Sequence, residues 1–463
     1  MKAKLLTLAA ATLVAFASFT HAQEAETPPP QTLFQNVKVF NGTDDQLYDV
    51  DVLVENNLIR SVGKNVNARS DATVIDGGGR TLMPGMIDSH VHFNLLPPVA
   101  GPSAHEGLTW EEIGAYAVAG AQEWLQRGFT TARDMGGMHE GMRKVIDRGV
   151  IAGPRLYLAG GFISQTCGHG DFRLASQENA EEANLVRLGI SRIADGRPEV
   201  LKACRKNFAG GADYLKIMVG GGVTSEKDPL HSSQFTADEI SAAVEAAEAW
   251  DTYVAIHVYY DRDIKRAIEL GAKCVDHGQF IEKETLKDAK ALGVIFSFNV
   301  SGMDPVALEH PLYGNPALPQ YPKFLTFMEN SKNLFAYIKE VDPVVVFNSD
   351  FVYLDMPGIR AGVDHEMGYL EKGVGTWTAL KSLTSNPGKL AAMTGQNNPY
   401  PDGKLGVIEE GAYVDILLVD GNPLESLACL GASLEWFDAK PRGPSIDTIN
   451  LIMKDGKVYK NTL

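Results

Sequence analysis

Cysteine is scarce in this chain, because four residues among 463 are too few to form a disulfide-rich scaffold. Their spacing also matches none of the short zinc-finger patterns. We interpret them as mostly buried thiols, and the alternative of one disulfide in an oxidising compartment stays open. The four positions are Cys167, Cys204, Cys274 and Cys429.

Positive charge is also in deficit, since 42 Lys and Arg residues face 58 Asp and Glu residues, which gives a net charge of −16 at pH 7. Such a surface repels the phosphates of nucleic acids and anionic membranes, so we expect neither as a partner. The rest of the composition, 44% hydrophobic and 22% charged, is that of an ordinary globular protein. It excludes a wholly disordered chain, a collagen and a coiled coil.

Long hydrophobic runs are missing except at the N-terminus, where Lys2 and Lys4 precede an apolar stretch from Leu5 to Phe19. Small residues follow, and the stretch is short for a membrane span. We interpret residues 1–22 as a signal peptide that is cleaved after Ala22, with a membrane anchor as the alternative. The mature protein is therefore expected to be periplasmic or secreted, with no membrane partner.

Both ends of the remaining chain read as short strands separated by turns. Near the N-terminus the strand-like segments are 33–40, 50–55 and 59–62, and near the C-terminus they are 413–419 and 448–453. Lys454-Asp455-Gly456-Lys457 is a hairpin turn signal. We predict one small β-sandwich domain that is formed by both chain ends, from residues 23–83 and 403–463.

Residues 84–402 alternate between short apolar strands and helical stretches, which is typical of repeated βα units. A capping box at Thr236-Ala237-Asp238-Glu239 marks one helix start clearly. Eight strands are predicted, which places the chain in the α/β class as a (β/α)8 TIM-like barrel. They are residues 86–93, 130–135, 155–159, 214–219, 253–257, 274–277, 294–298 and 344–348.

The first predicted barrel strand contains a His-x-His pair, His90 and His92. Side chains two apart on a strand point to the same face, so the two imidazoles can bind one metal ion. The alternative is a pair that arose by chance.

The fourth predicted strand contains Lys216 in the middle of apolar neighbours. A buried lysine is costly unless it has a partner or loses its proton. A neutral lysine can react with CO₂ to give a carbamate, which is a carboxylate-like ligand for two cations. The alternative is an ordinary ion pair with a buried acid.

Three more candidate ligands lie at strand ends. His257 ends the fifth predicted strand, His277 ends the sixth, and Asp350 follows the eighth. The carboxyl ends of the strands form the functional face of a barrel, so we expect these side chains to converge. Taken one at a time, each fits equally well as a core, capping or loop residue.

This ordered set of His-x-His, Lys, His, His and Asp resembles the amidohydrolase superfamily of binuclear metal hydrolases. The resemblance extends over the mature chain and includes residues 84–88 and 385–387. It implies that His90, His92 and Asp350 hold a more buried metal ion, and that His257 and His277 hold a more exposed one. It also implies a CO₂-derived carbamate on Lys216 between two divalent ions, most simply Zn²⁺, with Mn²⁺, Co²⁺ and Fe²⁺ open.

Further segments resemble the prolidase-like, Xaa-amino-acid carboxypeptidase and ochratoxin amidase group of that superfamily. They are residues 165–171, 257–259, 276–278 and 365–370. The resemblance implies a metal-activated hydroxide that cleaves an amide and releases a C-terminal amino acid, with Asp350 moving the proton to the leaving amine. Small-molecule substrates of this kind are dipeptides, N-acyl amino acids and ochratoxin-like amides. The deaminase branch is less favoured, because its usual glutamate is replaced here by Tyr260.

Three residues are predicted to contact the substrate. The resemblance assigns His169 and Tyr259 to the carbonyl or carboxylate of the substrate, and Arg173 is proposed as a carboxylate clamp. The alternatives are a loop histidine, a packed tyrosine and a surface arginine. The segment 301–321, rich in Pro, Leu and Tyr, is predicted to form a lid or apolar wall of the pocket.

Rival functions remain open at this point. The same metals would serve a lactonase, a phosphotriesterase or a cyclic-imide hydrolase, and a degenerate barrel would serve a secreted binding protein. The usual Gly-Ser/Thr-Asp of the superfamily reads Asn348-Ser349-Asp350 here. A homo-oligomer is carried over from the relatives as an expectation.

Overall fold

The computed structural model of the chain describes residues 28–463, which contain twenty strands and twelve α-helices. Strands β1 to β20 are Gln31–Gln35, Lys38–Phe40, Leu47–Asp49, Asp51–Glu55, Leu58–Gly63, Thr73–Asp76, Thr81–Pro84, Met86–Val91, Phe129–Asp134, Arg155–Leu158, Phe162–Ser164, Ser191–Ile193, Leu215–Met218, Val254–Tyr260, Cys274–Phe280, Ile295–Phe298, Val345–Phe347, Ile416–Val419, Ile449–Lys454 and Lys457–Asn461. Helices α1 to α12 are Trp110–Gln126, Glu140–Asp147, Asn184–Arg187, Arg197–Ala209, Ala237–Glu248, Asp261–Glu269, Lys283–Ala291, Gln320–Asn330, Leu334–Val341, Met356–Val374, Thr376–Leu383 and Ser385–Ala392.

The predicted signal peptide, residues 1–22, lies outside the described residues. Within residues 28–463, no helix combines the length and the apolar composition that crossing a bilayer requires.

Both chain ends contribute to two mixed sheets, in which all strand pairs are antiparallel except β1 with β6 and β2 with β7. A four-stranded sheet has the order β5-β4-β1-β6, and a six-stranded sheet of order β20-β19-β18-β7-β2-β3 joins N-terminal and C-terminal strands. Apolar side chains from both sheets form one hydrophobic cluster, which includes Phe34, Val54 and Leu451. The strand predicted over residues 33–40 is two strands, because Asn36 adopts a left-handed conformation (φ 53°) that interrupts the extension.

The middle of the chain forms two parallel sheets of order β10-β9-β8 and β12-β11-β13-β14-β15-β16-β17. All eight strands predicted for this region are present, with bounds shifted by up to three residues. Strands β11 and β12 were not predicted, since each has only three residues, too few to show the alternating pattern that identifies a strand. The amide of Asp350, after β17, donates to the carbonyl of His90 in β8 at 3.0 Å, so the last strand lies beside the first.

Helix α5 begins at the capping box that the sequence predicts. The hydroxyl of Thr236 accepts from the amide of Glu239, and the Glu239 carboxylate accepts in return from the amide of Thr236. This completes the predicted capping box at the start of α5, which satisfies amide groups that have no partner within the helix.

The four cysteines are all free thiols, so the alternative of a disulfide is not observed. Cys204 and Cys274 are buried, as expected for most of the set, whereas Cys429 is half-buried and Cys167 is exposed.

A buried arginine joins a parallel sheet to the six-stranded mixed sheet. Arg155 starts β10, and its guanidinium donates to Asp415 at 3.0 Å and to Asp455 at 2.6 Å. The same group lies 3.9 Å from the ring centre of Tyr413. Because the arginine and Asp415 are both about 5% exposed or less, removing either one leaves an uncompensated charge.

We expect Arg155→Ala to lower the free energy of unfolding by roughly 3–5 kcal/mol, the usual cost of breaking a buried ion pair. Urea unfolding measures the change, with Lys144→Ala as the matched control. Lys144 pairs with Glu140 on the exposed face of α2, so that variant should unfold at nearly the wild-type urea concentration. Equal midpoints for both variants would contradict the role of Arg155.

Candidate metal centre

The candidate site lies at the carboxyl ends of the parallel strands. The predicted ligands come from β8 and the residue just after it, from β13, β14 and β15, and from the segment after β17, and parallel strands bring these ends to one edge. One cavity is lined by all six of them, His90, His92, Lys216, His257, His277 and Asp350, together with His169. The convergence expected from the sequence is therefore present.

His90 and His92 approach the same carboxylate. Their Nε2 atoms are 3.3 Å apart, and these atoms lie 3.5 Å and 3.6 Å from Oδ1 of Asp350. The Nδ1 atom of His92 contacts the carbonyl oxygen of Gly136 at 3.1 Å, which fixes the ring so that Nε2 points into the cavity.

His277 reaches the same point through an unusual backbone conformation. Its φ angle is +69°, and Gly278 follows with φ +73°, so the strand alternation is interrupted at this position. The Nε2 atom of His277 lies 3.9 Å from Oδ2 of Asp350, and its Nδ1 atom contacts Oδ1 of Asn299 at 2.9 Å. One ligand atom each from His90, His277 and Asp350 lies within 4.8 Å of the others.

His257 is the fourth imidazole of the group and lies between His277 and His169. Its ring centre is 4.4 Å from that of His277, and it stacks on the ring of His169 at 4.0 Å. Its Nε2 atom lies 3.4 Å from the carbonyl oxygen of Gly221.

Burial keeps these imidazoles neutral. It lowers the pKa of His92 to about 4 and of His277 to about 3, and the pKa values of His90 and His257 also fall well below the ordinary value. A neutral ring offers the lone pair that binds a metal ion. Four unprotonated rings beside a carboxylate form a donor set that fits divalent transition metals.

Asp276 is a residue of the site that sequence reasoning missed. Lys216 Nζ donates to its Oδ2 at 2.9 Å, and His90 Nδ1 lies 3.0 Å from its Oδ1. The ion pair named as the alternative for Lys216 is therefore present for the unmodified amine. The carbamate stays a prediction.

Arg133 was missed as well. Its guanidinium donates to the carbonyl of Ser89 at 2.9 Å, lies 3.5 Å from Asp276, and packs 4.5 Å from the ring centre of Tyr214. Burial alone would raise the pKa of Asp276, but Lys216, Arg133 and His90 hold it well below its usual range. A charged residue in the middle of a buried strand, as Arg133 is in β9, was the available signal.

Asp350 adopts a left-handed conformation with φ +48°. Burial is the main cause that raises its pKa, to about 7, although Lys216 opposes the shift. Asn348, which replaces the usual glycine, keeps an ordinary φ and donates to the carbonyl of Ser297 at 2.8 Å. The departure from the superfamily pattern therefore adds no backbone strain there.

His169 lies in the loop after β11, where the loop after β13 fixes its position. Its Nδ1 atom is 2.8 Å from the hydroxyl of Ser225, and its backbone amide donates to Gln234 at 2.9 Å. Burial lowers the pKa of His169 to about 4, so the ring is neutral. The backbone of Gly222 lies so close to this ring that no side chain fits at that position.

Tyr259 lies at the junction with a second, neighbouring cavity. Its ring centre is 5.3 Å from that of His257 and 5.4 Å from that of His277. Burial raises the pKa of Tyr259 well above its ordinary value, which keeps the hydroxyl protonated.

Arg173 is held away from these groups by its own neighbours. Its guanidinium donates to Asp171 at 2.8 Å and to the carbonyl of Glu178 at 2.7 Å. The structure does not bring it together with the other predicted residues, and its function as a carboxylate clamp stays a prediction.

The segment after β16 lines the neighbouring cavity, and its function as a wall of the substrate pocket stays a prediction. It contains two 3₁₀ turns, Ser301–Met303 and Pro305–Glu309, before α8 begins. The carboxylate of Glu366 in α10 accepts from the amides of Val300 and Ser301 at 2.6 and 2.7 Å. Glu366 therefore anchors the start of this wall.

A profile of the Amidohydrolase family matches residues 81–323, which contain five of the six predicted ligands. The chain belongs to this family, and it is a hydrolytic enzyme. It is similar to an ochratoxinase from Aspergillus niger, with 27% identity over 364 residues that cover 75% of this chain and 71% of that protein.

Two solved structures are also similar to this chain. One is an amidohydrolase with a TM-score of 0.83 and 31% identity, aligned over 94% of this chain and 100% of that one. The other is a prolidase complexed with N-methylphosphonate-L-proline, with a TM-score of 0.81 and 27% identity over 93% of this chain and 100% of that one.

We expect Gly222→Ala to reduce hydrolytic turnover about 100-fold, the scale of a misplaced catalytic group. A Cβ atom at Gly222 would lie 1.9 Å from the ring of His169 and would displace it. Gly114→Ala is the matched control, since a Cβ atom there meets nothing within 4 Å. Steady-state kinetics compares the two, and full activity of Gly222→Ala would contradict the placement of His169.

Proposed function

We propose that the protein hydrolyses an amide bond and releases a C-terminal amino acid, from a dipeptide, an N-acyl amino acid or an ochratoxin-like amide. The observation that carries this proposal is the convergence of four neutral imidazoles, Lys216 and Asp350 on one cavity beside an aromatic pocket. The similarity to an ochratoxinase, and to a prolidase solved with a proline-containing phosphonate, supports amides as the substrate class.

The site is proposed to bind two divalent metal ions, most simply Zn²⁺. His90, His92 and Asp350 would hold one ion and His257 and His277 the other, with carboxylated Lys216 between them. When bound, such ions lower the pKa of water and polarise a carbonyl group. Asp276 would then keep His90 oriented through its Nδ1 atom, as carboxylates commonly do for histidine ligands.

The chain's own residues have separate tasks in this proposal. Asp350, whose Oδ1 atom lies 3.5 Å from Nε2 of His90, would accept a proton and pass it to the leaving amine. Tyr259 keeps its proton and donates a hydrogen bond to the oxygen on which charge develops. Because Nδ1 of His169 contacts the hydroxyl of Ser225, Nε2 of that ring is the atom proposed to contact the substrate.

The architecture proposed around this site is a closed (β/α)8 barrel over residues 84–402. Contact between β8 and β17 supports closure, and so does the amide of Asp213, which donates to the carbonyl of Leu158 at 2.7 Å. The two mixed sheets built from the chain ends are proposed to form the β-sandwich domain. Secretion after cleavage at Ala22 and assembly into a homo-oligomer also stay proposals.

The first experiment is an assay of amino-acid release. The mature chain is purified with Zn²⁺ and bicarbonate and tested on dipeptides, N-acyl amino acids and ochratoxin A, each with and without a chelator. Release that the chelator abolishes is the expected result. If these amides fail while lactones, phosphotriesters or cyclic imides are hydrolysed, the amidase proposal is overturned in favour of those chemistries.

We expect His257→Ala and Lys216→Ala each to lose at least one metal ion per chain and nearly all turnover. Elemental analysis of the purified proteins measures the metal content. His231→Ala is the matched control, because His231 is exposed and lies outside the cavity, and it should keep both metals. Two bound metals and full turnover in His257→Ala would contradict the ligand assignment.

A further inference from the structure

A second cavity adjoins the candidate metal centre and is lined by seven aromatic side chains together with smaller apolar and polar residues. It shares Thr224, Asp350 and Val352 with the first cavity, so a molecule that occupies it reaches the carboxylate of the site. The aromatic residues of its lining are Tyr259, His310, Tyr313, Phe324, Phe327, Phe351 and Trp436.

These rings form an unbroken series that leads outward from the metal centre. Tyr259 lies 5.4 Å from His277, and the ring of Phe327 meets Tyr259 edge-on at 5.7 Å. Phe324 then stacks on Phe327 at 5.7 Å, and Tyr313 stacks on Phe324 at 5.0 Å. His310 ends the series with its ring centre 4.4 Å from Tyr313.

The lining offers almost no charge to a bound group. Among the described residues that line this cavity, none is lysine or arginine, and Asp350 at the inner end is the one acid. Burial lowers the pKa of His310 to about 4, so this ring is neutral at pH 7. The other polar groups of the lining, Thr224, Asn299, Ser301 and Ser349, carry no charge. An acidic side chain placed here would lose water without gaining an oppositely charged partner, and a basic one would meet only Asp350, which is proposed to bind metal.

The cavity wall is held in place by polar contacts behind the rings. The hydroxyls of Tyr313 and Thr224 are 2.9 Å apart, and the amide of Gln320 donates to the Thr224 carbonyl at 3.0 Å. Lys323 donates to the carbonyls of Gly222 and Ser225 at 3.0 and 2.7 Å. These contacts join α8 to the loop that positions His169, so the aromatic wall is formed before a ligand arrives.

We propose that this cavity is the subsite for one substituent of the scissile amide, and that it selects a large, uncharged, apolar or aromatic side chain. The inference rests on the proposed amide hydrolysis and names its preferred substrates. Apolar contact area and ring stacking favour such a group, while the uncharged wall disfavours lysine, arginine and acidic side chains.

The test uses two matched substrate series on the zinc-loaded full-length mature protein. One series is N-acetyl amino acids and the other is dipeptides with alanine at the C-terminus, each with Ala, Leu, Phe, Lys or Glu at the variable position. In one of the two series, kcat/KM for Phe should exceed that for Ala at least tenfold, with Lys and Glu below Ala. The series that shows this preference identifies which side of the amide enters the cavity.

Three variants locate the preference in the cavity. Tyr313→Ala removes the ring next to the end of the series and should reduce the Phe-to-Ala ratio about tenfold, whereas Tyr313→Phe keeps the ring and should retain the ratio. Leu325→Ala is the matched control, because Leu325 lies on α8 but is 41% exposed and outside the lining. Circular dichroism melting checks that each variant folds, and His310→Ala replaces Tyr313→Ala if the latter does not.

Equilibrium binding separates this inference from the proposed reaction. Calorimetry of the zinc-loaded protein compares N-acetyl-phenylalanine, N-acetyl-lysine and phenylalanylalanine as probes. If nothing is hydrolysed but the Phe ligands bind preferentially and Tyr313→Ala removes that preference, the subsite stands and amide hydrolysis fails. Equal affinity for the Phe and Lys ligands, or an unchanged Phe-to-Ala ratio of kcat/KM in Tyr313→Ala, overturns the subsite.

Discussion

The buried carboxylate of Asp276 organises the centre of this protein. It accepts from Lys216, contacts His90 and lies near Arg133, all of them buried in the strands. Two buried cations would be very costly without it, and one imidazole would lose its orientation. The whole group is buried, so the positions of Lys216 and His90, two of the six candidate ligands, depend on this carboxylate.

The loops at the strand ends are held by hydrogen bonds to neighbouring helices and to one another. Glu366 anchors the start of the wall after β16, and Lys323 connects α8 to the carbonyls of Gly222 and Ser225. The loop after β13, which contains Gly222 and Ser225, also holds His169 through the contact between the Ser225 hydroxyl and Nδ1 of that ring. The wall of the aromatic cavity and His169 are therefore parts of one hydrogen-bonded unit, rather than independent loops.

Several features were predictable because they follow from short-range rules. The His90 and His92 pair follows from strand periodicity, and the start of α5 follows from its capping box. Other features escaped those rules. His277 and Asp276 both point toward the site, although neighbours on a regular strand point to opposite faces, because the positive φ of His277 interrupts the alternation. The ion pair of Arg173 with Asp171 depends on a loop conformation that no residue pattern encodes.

The sequence by itself determined the family, the α/β class, the order of the strands and the six residues that converge as candidate ligands. Strand periodicity and the sequence order of ligand-bearing strands are local or linear properties, so they can be read from one chain. Only the tertiary structure decided that Asp276 and Arg133 support the site, that Arg173 is held apart from it, and that rings from distant segments line one pocket. Those outcomes depend on contacts between residues far apart in the chain, whose distances follow from packing of the whole fold.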